Sequence, residues 1–219
     1  MNVQSIYKDR RKTKKHKRYK QYASKLSRRH PRLRQLISLI GPIQNEIPLW
    51  QSLNDAVLYA VIGQMLSVAA AGTIIQRLLQ RFDNSEVVIK WARKTSHIKG
   101  PIHGVSHRKR KALKEWADYL DHPDASFKQW RTLPLNEYRR QILGIWGFGP
   151  WSADMIAIFH LGRMDIWPES DIGIKRACNV IFGKKEAGRA KILVKGCETV
   201  AAIYMWELLN LKLTDKMAR

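Results

Sequence analysis

Apolar residues recur along most of this chain at the three- and four-residue intervals that are typical of helices. One run, residues 33–40, stops at a Gly-Pro pair, where helices commonly end. A second run covers residues 56 to about 79, and Asn54 or Asp55 is placed to cap it. Alternating patterns that would predict strands are nearly absent. The chain is therefore predicted to be all-α.

Shorter helical runs follow in the second half of the chain, and turns that contain glycine or proline separate them. Ser106 is placed to cap one of these helices. Pro150 begins another, since proline is well tolerated in the first helical turn. We predict these helices at residues 86–94, 107–120, 136–143, from 150 onward, 171–182 and 199–212.

The charge of the chain is strongly positive and unevenly distributed. Forty Lys and Arg residues stand against 18 Asp and Glu, which gives a formal net charge of +22. Residues 1–35 alone hold fourteen basic residues and one acidic residue, Asp9. A surface this basic attracts polyanions, of which nucleic acid is the commonest. Charge alone leaves two interpretations open: a binding protein without chemistry, and an enzyme that acts on nucleic acid.

The same charge distribution predicts a separate region at the start of the chain. Residues 1–30 have little to bury, so we predict a flexible basic tail. Residues 31–219 are long enough to bury a core, as one domain or as two packed lobes.

Cysteine usage and hydropathy predict the compartment. Cys178 and Cys197 are too few for a disulfide framework and lack close metal-ligand spacing, so we expect reduced, buried residues. No secretory signal or membrane-spanning stretch is evident. We expect a monomer without a membrane partner, in the cytoplasm with the nucleoid or in the nucleus.

The most informative stretch of sequence is a glycine-marked turn between two predicted helices. Gly147, Phe148 and Gly149 form this turn, and the second helix begins at once. Glycine allows a backbone to approach a ligand closely, and the free N–H groups at a helix start suit a phosphate. A small residue, Ala153, lets the two helices close on each other. The pattern favours a phosphate-binding hairpin that also includes Trp151 and Ser152 over an ordinary helical turn.

This stretch resembles the helix-hairpin-helix motif of the base-excision DNA glycosylase superfamily, and the segment 165–175 is most similar to its 3-methyladenine DNA glycosylase II (alkylated-base) branch. Two further segments, 62–70 with its Gly-Gln-x-x-Ser pattern and 104–109, resemble family motifs in the same order. The resemblance covers about residues 53–182. It implies two packed helical lobes with the active site in the cleft between them. The hairpin region would span about 136–160, and the second lobe about 31–50 with 165–219. The partner it implies is double-stranded DNA, to which the basic tail would also bind.

The resemblance identifies Asp171 as the catalytic residue. Cleavage of an N-glycosidic bond builds positive charge on the deoxyribose, which a nearby carboxylate stabilises while it orients the attacking water. Asp154, Asp165 and Glu169 are rivals on residue type alone, but only Asp171 matches the motif. Asp171 is also placed to cap the helix that follows it, a role compatible with catalysis.

Further roles follow from the resemblance. Family members that form a Schiff base carry a lysine two residues after the second hairpin glycine, and this chain has Trp151 there, so we predict no lyase activity. Trp151, Met155 and Trp206 would line the base pocket. Trp151 has a second interpretation as packing for the hairpin. Met155 stands where an aromatic residue is expected, which implies a reshaped pocket.

The remaining assignments concern contacts with DNA and bound ions. Met65 would fill the gap that a flipped base leaves, although a buried core methionine is an equal alternative. Gln64 would contact a base edge or the backbone. Basic DNA contacts are predicted at Lys109, Arg110 and Lys175. A structural monovalent cation is implied at the carbonyls of Leu143, Ile145 and Phe148. Two cysteines do not suffice for an iron–sulfur cluster, so no cofactor is expected.

The sequence is compatible with three functions. The first is a monofunctional glycosylase that removes an alkylated purine. The second is a glycosylase for a deaminated, oxidised or bulky phage-type base. The third is a helix-hairpin-helix protein that binds DNA without catalysis.

Overall fold

The computed structural model describes residues 12–43, 50–122, 125 and 127–218. Regular structure in these residues is helical, apart from one isolated bridge between Ile102 and Val105. The all-α prediction is therefore confirmed. The helices are α1 (Lys12–Ser27), α2 (Pro31–Ile40), α3 (Leu53–Gly63), α4 (Val68–Phe82), α5 (Ser85–Thr95), α6 (His107–Asp121), α7 (Leu135–Leu143), α8 (Pro150–Phe159), α9 (Ile172–Glu186), α10 (Ala190–Leu193), α11 (Glu198–Asn210) and α12 (Thr214–Ala218).

The chain divides into two compact units. The first contains α3 to α8, within residues 50–162. The second contains α1, α2 and α9 to α12, from residues 12–43 and 163–218. No helix in the described part of the chain is long and apolar enough to cross a membrane.

The first unit is built around α3, whose buried residues face α4, α5, α6 and α8. The residues of α3 are apolar on almost all sides of the helix, which is the pattern of a central helix. An aromatic cluster of Trp116, Trp130 and Tyr138 joins α6 to the start of the hairpin region. The α6 boundary was predicted closely, and the Ser106 hydroxyl accepts the Lys109 amide as its cap.

The long central helix predicted for residues 56–79 is wrong, because the chain breaks into α3 and α4. Ser67 caps α4, and Met65 adopts the left-handed conformation, with φ of 57°. The cap of α3 also differs from the prediction. It is Ser52, in a reciprocal capping box with Asp55, whereas Asn54 accepts a hydrogen bond from Trp116.

The second unit differs from the prediction at its N-terminal end. Residues 1–30 were expected to form a flexible tail, but α1 begins within them, and Tyr19, Ala23 and Leu26 are buried in the core of this unit. These apolar residues recur at helical spacing behind the charge run, so α1 has a face to bury. The tail residues 1–11 lie outside the described part.

Both cysteines are buried in this same core, as expected. Burial raises the pKa of Cys178 to about 11. The thiol is therefore protonated at neutral pH.

Candidate active site

Asp171 caps the N-terminus of α9 and is held by hydrogen bonds from two directions. Its Oδ1 atom accepts the backbone N–H of Ile174 at 2.8 Å. The same oxygen accepts the indole N–H of Trp206, on α11, at 3.0 Å. The first bond is a standard helix cap, whereas the second ties the carboxylate to a different helix. Together they fix the orientation of the carboxylate, which is half-buried.

Gly173 leaves room for this carboxylate. A Cβ atom at Gly173 would lie 2.9 Å from Asp171 Oδ1 and 3.5 Å from Trp206 Cδ1. A larger residue would therefore displace the side chain that the two hydrogen bonds orient. The sequence shows only a glycine near a helix start, so this constraint and the bond from Trp206 could not be predicted.

The rival carboxylates each form an ion pair. Asp154 is buried and lies 2.7 Å from the Arg139 guanidinium. Arg163 donates two hydrogen bonds to Asp165, and Glu169 lies 2.9 Å from Lys191. Each of these carboxylates is thus engaged by a cation on its own unit.

The predicted hairpin lies between α7 and α8. Gly147 has φ of 88°, a conformation that glycine adopts easily, and a Cβ there would lie 2.5 Å from Ala112 Cβ. This glycine is therefore required both for the turn and for the close approach to α6. Ile145 and Phe148 are buried beneath the turn, and Gly149 precedes the first residue of α8.

Gln64 fastens the α3–α4 turn to this hairpin. Its side-chain amide donates to the Gly147 carbonyl and to the Ser152 hydroxyl, each at 2.9 Å. Ser152 is buried, so its hydroxyl is an internal partner of Gln64 rather than a phosphate ligand. The predicted contribution of Ser152 to phosphate binding is therefore restricted to its backbone N–H.

Met65 projects into solvent, and the residue is 92% exposed. This rules out the alternative of a buried core methionine. Val68, at the start of α4, is 90% exposed as well. The break between α3 and α4 thus presents apolar side chains to solvent beside the hairpin, where Gln64 anchors them.

The aromatic residue after the hairpin, Trp151, is half-buried on α8 and packs against α3. A Cβ at Gly63 would lie 3.0 Å from the tip of its indole ring. Met155, one helical turn later, is buried. These contacts are compatible with both interpretations of Trp151, the wall of a pocket and the packing of the hairpin.

The three basic residues predicted to contact DNA, Lys109, Arg110 and Lys175, differ in their burial and in their hydrogen-bond partners. Arg110 is fully buried and donates to the carbonyls of four residues, so its assignment as a DNA contact is wrong; the four are Thr95, Ile98, Gly100 and Val105. It is a structural residue that organises the loop before α6. Lys109 donates to the Ile62 carbonyl at 2.8 Å, and burial lowers its pKa. Lys175 is exposed on α9.

Comparison with known proteins shows that the chain is similar in sequence to a DNA glycosidase-like protein. No protein-family model matches the chain. It is 26% identical over 183 residues to the alkylbase DNA glycosidase-like protein mag2 of Schizosaccharomyces pombe, covering 79% of this chain and 85% of that protein.

Two solved structures extend the comparison. The S. pombe 3-methyladenine DNA glycosylase Mag1, in complex with abasic DNA, superposes with a TM-score of 0.71 at 21% identity, over 87% of this chain and 97% of that chain. An 8-oxoguanine glycosylase/lyase of Clostridium acetobutylicum superposes with a TM-score of 0.67 at 18% identity, over 97% of this chain and 75% of that chain. The chain therefore has the fold of the helix-hairpin-helix DNA glycosylases, and its sequence similarity lies with their alkylbase branch, as the motifs predicted.

Proposed function

We propose that this protein is a monofunctional DNA glycosylase that flips an alkylated purine out of duplex DNA and hydrolyses its N-glycosidic bond. The observation that carries the proposal is Asp171, a carboxylate oriented by the Ile174 amide and the Trp206 indole. A cap alone needs only the first of these bonds. The second places a polar aromatic edge against the carboxylate, an arrangement suited to a reacting group.

The chemistry assigned to Asp171 is electrostatic. The bond between C1′ and the base nitrogen breaks, and its electron pair leaves with the base, which an alkyl group has already made electron-poor. Positive charge then develops on the sugar, and the fixed carboxylate stabilises it. Water adds through its oxygen to C1′ and releases a proton to solvent, so the products are a free base, an abasic site and that proton.

A glycosylase for a different modified base is the second candidate. Met155 favours it, because a buried thioether replaces the aromatic residue expected at that position. The similarity of the fold to an 8-oxoguanine glycosylase/lyase also leaves the base open. The tryptophan after the hairpin, Trp151, favours the alkylated purine, since an electron-poor base gains from stacking on indole.

The absence of lyase activity follows from Trp151, which cannot form a Schiff base. A labelled duplex that carries one modified base tests this part of the proposal. Strand breaks should appear only after alkali, and borohydride should trap no covalent complex. Breaks without alkali, or a trapped complex, would contradict the monofunctional assignment.

Trp206 is assigned as a positioning residue through its indole N–H. We expect Trp206→Phe, which keeps an aromatic ring but removes this donor, to lower the single-turnover excision rate about tenfold, the effect of losing one hydrogen bond to a charged group. DNA affinity should stay unchanged. If Trp206 acted only by stacking, Trp206→Phe would retain the wild-type rate, whereas Trp206→Ala would lose it.

Met65 is assigned as the side chain that enters the duplex when the base leaves. We expect Met65→Ala to lower excision about tenfold, because the apolar volume that fills the gap is lost. Alanine shares the backbone preferences of methionine at this left-handed position, so the turn is strained equally in both. Ile192→Ala, which truncates another exposed apolar residue, is the matched control. Equal excision rates for Met65→Ala and Ile192→Ala would contradict the entry of Met65 into the duplex.

A structural monovalent cation at the Leu143, Ile145 and Phe148 carbonyls belongs to the same proposal. The atoms that would coordinate the cation are all backbone carbonyl oxygens of the hairpin, which suit a hard cation. The Ile145 carbonyl also accepts the Phe148 amide at 3.1 Å, which keeps the turn compact. Such an ion would hold the hairpin in shape and take no part in the bond cleavage.

A further inference from the structure

The hairpin carries an exposed tryptophan that the assigned functions do not use. Trp146 directly precedes the Gly147–Gly149 turn, and 41% of it is accessible. Two cations of α6 lie over its ring: Lys111 Nζ is 4.2 Å from the ring centroid, and Arg108 Cζ is 6.0 Å away. An aromatic face attracts cations at these distances.

A close contact between the hairpin and α6 lies next to Trp146. The next residue, Gly147, approaches Ala112 so closely that a Cβ would not fit. Ala112 directly follows Lys111 on α6. The contact between Gly147 and Ala112 therefore holds the backbone next to Trp146 close to the helix that carries the two cations.

The Trp146 ring is neutral and balances the charges of Arg108 and Lys111 only in part. Arg108 and Lys111 are three residues apart on one helix, a spacing at which like charges repel. The ring offsets part of this repulsion through its negative face, and an anion would offset the rest. The nearest expected anions are phosphates, because the hairpin N–H groups at the start of α8 also suit a phosphate.

We propose that Arg108, Lys111 and Trp146 form a phosphate-contact surface for the backbone of duplex DNA, next to the contact that the hairpin amides make. The inference rests on the proposed function, because it assumes that DNA lies along the hairpin. Trp146 is a positioning residue here. It orients the two cations, which make the contacts, and it needs no contact with a base.

The test compares two single substitutions that each remove one positive charge from the same unit. Lys111→Ala removes a cation of this surface, whereas Lys90→Ala removes an exposed lysine of α5 that lies 2.6 Å from Glu86. DNA affinity is measured by fluorescence anisotropy with a fixed duplex over a salt series. We expect Lys111→Ala to reduce the slope of log K against log salt by about 0.9, and Arg108→Ala/Lys111→Ala by about 1.8, whereas Lys90→Ala leaves it unchanged.

Trp146 variants supply the second readout. Trp146→Ala should weaken DNA binding several-fold at low salt, and Trp146→Phe should restore most of the affinity because a ring is again present. Equal slopes for Lys111→Ala and Lys90→Ala, with base excision and DNA binding by the wild type intact, would overturn this inference alone. Failure of the wild type to bind duplex DNA would overturn the proposed function as well.

Discussion

Asp171→Asn is expected to lower base excision by at least about 100-fold, the typical effect of removing one electrostatic stabiliser of a transition state. Asparagine has nearly the same shape, and its side-chain oxygen can still accept the amide of Ile174 and the indole N–H of Trp206. It is also a good helix cap. The substitution therefore removes the negative charge and leaves the local structure in place.

The measurement has two parts, so that catalysis and binding are separated. Single-turnover excision should fall, while DNA affinity stays within a few-fold of wild type and the unfolding midpoint is retained. Asp165→Asn is the matched control, because its carboxylate pairs with Arg163 on the same unit. Excision that survived in Asp171→Asn would assign the chemistry to another group.

Gly173→Ala is expected to have the second largest effect. The new Cβ would lie 2.9 Å from Asp171 Oδ1, so the carboxylate must move out of the position that its two donors define. A displacement of about 1 Å of a reacting group can cost about 100-fold in rate, and we expect a loss of this size. Stability should change little, because alanine favours a helix by about 1 kcal/mol over glycine and offsets part of the crowding.

The control for this substitution is Gly188→Ala, in the same unit, where a Cβ would meet nothing within 4 Å. Excision rates and unfolding midpoints are measured for both variants. An unimpaired rate in Gly173→Ala would mean that the carboxylate tolerates displacement, and the positional argument for Asp171 would fail.

Much of the fold was predictable because local signals agree with the final structure. The hairpin glycines, the capping serine at 106 and the aspartate before α9 each specify a helix end through their own chemistry. The break between α3 and α4 was not predictable, since apolar residues continue across it. A methionine with φ of 57° carries no mark in the sequence, yet this residue gives the turn its exposed apolar tip.

The site was predictable only in part, for a different reason. Asp171 follows from a motif, but its bond to Trp206 joins residues 35 positions apart and depends on how α9 packs against α11. Arg110 is a residue whose predicted role was wrong. In a run of basic residues it resembles its exposed neighbours, and only the fold shows that four carbonyls surround it. Charge patterns predict a basic surface but not which residue of a run is exposed.

Chromatography of the free base tests the central claim most directly. The wild-type protein is incubated with duplexes that carry alkylated, deaminated, oxidised or phage-type modified bases, and the released base is identified. Our account predicts that a free alkylated purine appears with wild type and is absent with Asp171→Asn. If no free base appeared from any duplex while DNA binding remained tight, the protein would be a non-catalytic DNA-binding member of this fold.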